Sequence, residues 1–230
     1  MKRKELLIFD FDGTIADTKS VYYKSISDEL KNYGFKEKDV DKAIDVGLSL
    51  RKTLGKLGLS FIVSWFLHKR IMKRVKRYAN NVKKCRDVDS IKRLKCQKIL
   101  ITNSLKEFAL PILRHLKLRK SFKEIYGADD FDDKEEFIKN YLRNNKVDKK
   151  NCFYIGDRAA DVRLAKKAGI KSIIVTGKCS WDSRKEVLKQ NPDFVVGDIK
   201  NLSEIFECFK NEILDSHRKS NFRDAQKCEY

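Results

Sequence analysis

The sequence predicts an α/β fold, a three-layer arrangement with a parallel sheet between helices, and a smaller helical unit inserted after the first strand. Three observations predict it. Short apolar runs alternate with helical patterns through most of the 230 residues. The runs are near-continuous, as strands buried on both faces require. One long stretch, from about Thr18 to Lys95, breaks the alternation and carries helical patterns alone.

The strand candidates are Glu5 to Phe9, Lys98 to Thr102, Phe153 to Ile155, Ser172 to Val175 and Phe194 to Val196, each ending at small or polar residues. Helical patterns follow at Leu105 to Leu116, Lys134 to Asn144, Ala159 to Ala168, Arg184 to Gln190 and Leu202 to Ile213. Inside the insertion, Tyr22, Ile26 and Leu30 recur at helical spacing. Further helices are expected over Val40 to Leu48 and Leu57 to Leu67. The basic stretch His68 to Lys98 sets Ile71, Val75 and Tyr78 on one possible face. The expected division is a discontinuous core of residues 1–17 and 96–214, a helical insertion of 18–95 and a polar tail of 215–230.

Composition narrows the function classes. No secretory signal is visible, because Asp10 and Asp12 interrupt the first apolar run. The most hydrophobic window, Leu59 to Leu67, is far shorter than the ~20 residues of a membrane span. The six cysteines are scattered with no C-x-x-C pair, so reduced thiols and a cytoplasmic location are expected, without structural zinc. The formal charge of +19 attracts anions, whether phosphorylated metabolites or nucleic acid. No nucleic-acid recognition motif or aromatic-studded basic platform accompanies it, so a basic nucleic-acid-binding protein on this scaffold stays an alternative that is not favoured. Oligomeric state is not legible in the sequence.

Chemistry-bearing residues sit at strand ends, where open α/β sheets form their binding crevice. Ile8 to Thr14, IFDFDGT, places Asp10 and Asp12 around a buried aromatic and follows them with Gly13, a residue that admits a tight turn. An Asx turn with one surface carboxylate is the plainer alternative. Tyr154 to Ile170 repeats the layout with Asp157 and, four residues on, Asp161. Asp157 alone could cap a helix beginning at Arg158. Four aspartates meeting at neighbouring strand ends would repel one another without a cation, and an oxygen-only donor set suits Mg²⁺. ILITNS ends a strand in hydroxyl and amide groups, so Thr102 and Asn103 could meet phosphoryl oxygens, or Thr102 or Ser104 could cap the next helix. Lys134 opens a helix after the acidic stretch Asp129 to Asp133.

Taken together, FDFDGT followed by IADT, then ITNS, Lys134 and IGDRAADVRLAKKAGI resemble the four ordered motifs of the haloacid dehalogenase superfamily, and most closely its phosphoglycolate phosphatase-like branch. The resemblance implies a Rossmann-like core with a helical cap in the position of the insertion. It implies Asp10 as nucleophile, Asp12 as general acid and base, and Thr102, Asn103 and Lys134 as phosphate-binding residues. Asp10, Asp12, Asp157 and Asp161 would serve a Mg²⁺ site, Asp12 through its main-chain carbonyl. The implied reaction is hydrolysis of a small phosphate monoester through an aspartyl-phosphate, with a sugar-phosphate mutase as the alternative within the superfamily. Glu135 stands where that branch commonly has proline, and Lys139 competes with Lys134.

Overall fold

The computed structural model describes residues 5–36, 38–39 and 54–206. Its core is six parallel strands: β1 (Leu6–Phe9), β4 (Gln97–Ile101), β5 (Glu124–Tyr126), β6 (Cys152–Gly156), β7 (Lys171–Val175) and β8 (Phe194–Val196). They lie in the order β5-β4-β1-β6-β7-β8. Counting these strands alone along the chain, that is the doubly wound order 3-2-1-4-5-6, whose direction reverses beside the first strand. Ile8 pairs with Ile99 on one side and Tyr154 on the other. All four β1 residues are buried, as its unbroken apolar run requires.

Helices α3 (Lys106–His115), α4 (Lys134–Asn144), α5 (Ala159–Ala168) and α6 (Arg184–Leu188) connect the strands. Two apolar layers sandwich the sheet. Leu7 and Phe9 join Phe108, Ile112 and Phe153 in one cluster, while Leu6 and Ile8 join Ile138, Leu142 and Ala165 in the other. Alternate residues of β1 therefore feed opposite faces.

Between β1 and β4 the chain forms a two-stranded antiparallel ribbon, β2 (Ala16–Asp17) with β3 (Lys83–Lys84), and two helices, α1 (Lys19–Leu30) and α2 (Phe61–Arg77). The ribbon corrects the expectation of an insertion without strands. Its two-residue strands are held by backbone bonds of the Asp12–Ala16 turn, which no side-chain pattern announces. The edge strand β5 was likewise absent from the expected set; it is short, partly exposed and carries Glu124.

Helix α2 joins two segments that the sequence divides at His68. Ser60 accepts a hydrogen bond from the Val63 N–H at its start, and Ser64, Leu67, Ile71 and Val75 form its buried stripe. It packs on α1, where the buried Glu29 pairs with Arg70 and, at 2.7 Å, with Arg74. That contact raises the Arg74 pKa. The helix expected over Val40 to Leu48, the end of the last helix and the tail lie outside the described residues; residues 202–206 are helical.

Candidate active site

The two acidic motifs meet at the carboxyl ends of β1 and β6, where the sheet order reverses. Phe11 is fully buried and packs edge-on against Phe108 at 6.4 Å. The aspartates that flank it aim at different partners. Asp10 accepts a hydrogen bond from Lys134 Nζ at 2.8 Å. Asp12 accepts from Ser104 Oγ at 2.7 Å and, more weakly, from Thr102 Oγ1 at 3.4 Å. Asp12 Oδ1 is buried with no protein partner.

Local backbone geometry holds this loop. Gly13 has φ +76°, and a Cβ there would collide with the Asp157 carboxylate and the Trp181 ring. The N–H groups of Ile15 and Ala16 both return to the Phe11 carbonyl. Thr14 Oγ1 donates to Asp157 Oδ1 at 3.2 Å, linking the first motif to the last.

Asp157 does not cap α5; the residue preceding that helix in extended conformation is Arg158. Asp161 instead reaches back and accepts from the N–H groups of Asp157 at 3.1 Å and Arg158 at 3.0 Å. Its carboxylate lies where a Cβ on Gly156 would sit. The Asp157 Oδ2 atom accepts from the Trp181 N–H at 2.6 Å.

Asp10, Asp157 and Asp161 each offer one carboxylate oxygen, and these oxygens lie within 4.8 Å of one another. All three residues are buried. Burial and the mutual repulsion of the carboxylates push the Asp157 pKa well up. Burial and Asp10 push Asp161 up to about 6. An oxygen-only cluster whose members resist ionising together fits a hard divalent cation such as Mg²⁺. The Asp12 carboxylate stands outside this trio, turned toward Ser104. Its pKa is also raised, first by burial and then by Asp10.

Lys134 is the first residue of α4, and Asp133 caps that helix by accepting from the Glu136 N–H at 2.8 Å. The lysine is buried, pairs with Asp10 and lies 5.3 Å from the Tyr154 ring centroid. Lys139 instead pairs with Glu135 on the surface, so the structure brings Lys134 and not its competitor to the carboxylates. Thr102 is fully buried and accepts from the Ser104 N–H at 3.0 Å. The residue in the capping position before α3 is Leu105, so neither hydroxyl caps that helix. Asn103 is exposed.

Three neighbours were not expected as site residues, although one of them, Ser104, ends the ITNS run. Ser104 Oγ holds Asp12 and lies 3.1 Å from Tyr22 Oη. The Tyr22 ring packs edge-on against Trp181, centroids 5.9 Å apart. Trp181 offers its main-chain N–H to Asp157, while its indole nitrogen is buried without a partner. In the sequence Ser104 read as a possible helix cap and Tyr22 as packing, while Trp181 left no trace.

A family model for haloacid dehalogenase-like hydrolases matches residues 7–175, well over half of the chain. The chain belongs to this family. The hydrolase is 27% identical over 109 residues to a phosphoglycolate phosphatase from Pseudomonas savastanoi pv. phaseolicola, a match covering 45% of this chain and 38% of that protein. The other phosphoglycolate phosphatases it matches are likewise spanned over less than two thirds of their length. It is 25% identical over 216 residues to a 5'-nucleotidase from Pseudomonas aeruginosa, covering 87% of the hydrolase and 95% of the relative. Its fold superimposes on a haloacid dehalogenase-like hydrolase from Streptococcus pneumoniae with TM-score 0.77 at 18% identity, covering 90% and 100% of the two chains. Among the described residues, no helix is long and apolar enough to cross a membrane.

Proposed function

We propose that the chain is a Mg²⁺-dependent phosphatase that hydrolyses a small phosphate monoester through an aspartyl-phosphate on Asp10. The observation that carries this reading is the arrangement of charge around Asp10: two buried carboxylates and a buried ammonium converge on it, while Asp12 stands beside it in a separate hydrogen-bond set.

In the proposed first step, Asp10 attacks phosphorus in line with the leaving group, splitting one displacement into two. Lys134, 2.8 Å from the nucleophile, meets the charge on an equatorial phosphoryl oxygen as the ester approaches. The Thr102 hydroxyl and the loop N–H groups after Asp12 meet the others. Asp12, whose raised pKa favours the acid form, protonates the departing alkoxide and then deprotonates the water that cleaves the aspartyl-phosphate. Its Oδ1, buried and without a protein partner, is the atom we assign to that proton. Asp10, Asp157 and Asp161, with the main-chain carbonyl of Asp12, would hold Mg²⁺, which screens the repulsion between carboxylate and phosphate. Ser104 and Thr102 orient Asp12. The helical insertion acts as the cap that excludes bulk water, and its basic residues receive the anionic substrate.

We place the enzyme in the cytoplasm, a reading supported by six cysteines scattered along the chain with no C-x-x-C pair. Phosphoglycolate and nucleoside monophosphates head the substrate panel, following the names of the relatives. A mutase reading is retained because the fold also superimposes, with TM-score 0.69, on a protein described as a β-phosphoglucomutase from Thermotoga maritima, 22% identical and covered over 98% of its length.

The deciding experiment incubates purified protein and Mg²⁺ with an aryl phosphate and then with the metabolite panel, using Asp10→Asn as control. Phosphate release that disappears in the mutant is the expected result. Release that survives in Asp10→Asn would sink the mechanism, and isomerisation of a hexose phosphate without phosphate release would select the mutase.

A further inference from the structure

Two cysteines far apart in the chain meet beside the candidate site. Cys85 lies one residue beyond β3, and its N–H donates to the Ile15 carbonyl at 3.1 Å, so it sits at the root of the ribbon. Cys179 lies in the loop between β7 and α6. Both line one small cavity together with Gly13, Thr14, Gly177 and Ser180. The two thiols lie close enough to interact, and the Arg86 main-chain N–H faces the Cys179 sulfur. Cys85 is buried and Cys179 partly exposed.

We propose that Cys85 and Cys179 form a reversible disulfide that pins the ribbon to the β7–α6 loop. The asymmetry of the pair assigns the roles. Cys179 is the more exposed sulfur and the one a peroxide reaches first, and the neighbouring Cys85 lowers its pKa toward the thiolate. Cys179 and burial raise that of Cys85. Cys152, by contrast, is enclosed in β6, and burial pushes its thiol up to about 12. The oxidant is a hydroperoxide. Cys179 attacks its terminal oxygen, breaking the O–O bond; a sulfenic acid forms on Cys179 and an alcohol, or water from hydrogen peroxide, leaves. The Cys85 sulfur then displaces the hydroxyl, which departs as water with the Cys85 proton. The two sulfurs supply the two electrons that reduce the peroxide, and a dithiol returns them by exchange.

The bond would restrain both sides of the site. The ribbon continues from the turn that holds Asp12, and it is where the helical insertion leaves and rejoins the sheet. The loop carries Trp181, whose N–H donates to Asp157. The oxidised form is therefore expected to lose motion at the root of the cap while keeping its fold.

The test treats the full chain with hydrogen peroxide and maps its peptides, a measurement that needs no activity. The expected result is loss of two of the six thiols and a peptide crosslinked through Cys85 and Cys179, both reversed by dithiothreitol. Cys85→Ser should leave Cys179 as a sulfenic acid trapped by dimedone. Recovery of both thiols unmodified after Cys96 has oxidised would overturn the pairing, as would a Cys179 crosslinked chiefly to another cysteine. Aryl phosphate turnover of the crosslinked form is expected to fall at least fivefold and to return with dithiothreitol; crosslinked protein that turns over like the reduced form would overturn the restraint.

Discussion

Asp12 is held by Ser104, the last residue of the ITNS run, which makes Ser104→Ala an informative change. The Ser104 hydroxyl lowers the Asp12 pKa against the larger effects of burial and Asp10. Its removal should move the alkaline limb of kcat/KM to higher pH, because the acid form then persists further. A profile unmoved in Ser104→Ala would remove Ser104 from the proton path. Asp12→Ala should cost about 10²–10⁴ in kcat, the usual range for a general acid and base. Gly13→Ala tests the backbone: the left-handed conformation alone costs about 1–2 kcal/mol with a side chain, and the clash with Asp157 adds to it. A fall in Tm of roughly 2–8 °C is expected at this size from that cost alone, measured by calorimetry; an unchanged Tm would mean that the loop relaxes freely.

At the scale of elements, the acidic trio is expected to link pH to metal. Asp157 and Asp161 have pKa values raised in the folded chain. Folded protein without metal therefore binds protons more tightly than unfolded protein, and its stability falls as pH rises from the unfolded value near 4 through about 6. A bound cation opposes that loss. The thermal shift caused by Mg²⁺ should be large at pH 7.5 and small at pH 5, and Asp161→Asn should shrink it at pH 7.5; equal shifts at both pH values would disconnect the trio from metal. A second test concerns α1 and α2. Glu29→Ala frees two arginines that are 58% and 30% exposed and can hydrate. Arg70→Ala with Arg74→Ala strands a buried carboxylate, at a cost of about 3 kcal/mol or more by urea unfolding. The reverse order of cost would show that the pair is held by packing alone.

The elements also mark how far the pattern could be followed. Strands β1, β4, β6 and β7 were legible because burial on both faces demands unbroken apolar runs, and the edge strand β8 because its three residues are all apolar. In β5 partial exposure admits Glu124 and erases that signal. The ribbon escaped because two lysines form one of its strands and backbone bonds alone define it. Asp10, Asp157 and Asp161 converge because their strands are neighbours, and Lys134 joins them through its capped helix. Ser104, Tyr22 and Trp181 were not legible as site residues, since their value lies in contacts between segments remote in sequence.

For the whole molecule, the excess of 52 Lys and Arg over 33 Asp and Glu surrounds the acidic centre with an attractive field. Raising salt from about 20 to about 200 mM shortens that field and should raise KM for a dianionic ester about threefold, with kcat little changed. A flat KM would confine recognition to short-range contacts. Binding to DNA or RNA with a steep salt slope and undiminished in Asp10→Asn would instead show the charge serving nucleic acid.

The sheet order has one more consequence, in time rather than space. The strand that carries Asp10 is made first, yet its two partners begin at Gln97 and Cys152. At ribosomal speeds of about 5–20 residues per second, β1 waits on the order of ten seconds or more for β6. Until then the nascent chain carries an apolar strand with an open edge, so binding by chaperones is expected there, and the proposed nucleophile lacks its acidic neighbours. The hydrolase therefore cannot meet its substrate half-made: catalytic competence arrives with the pairing that completes the centre of the sheet.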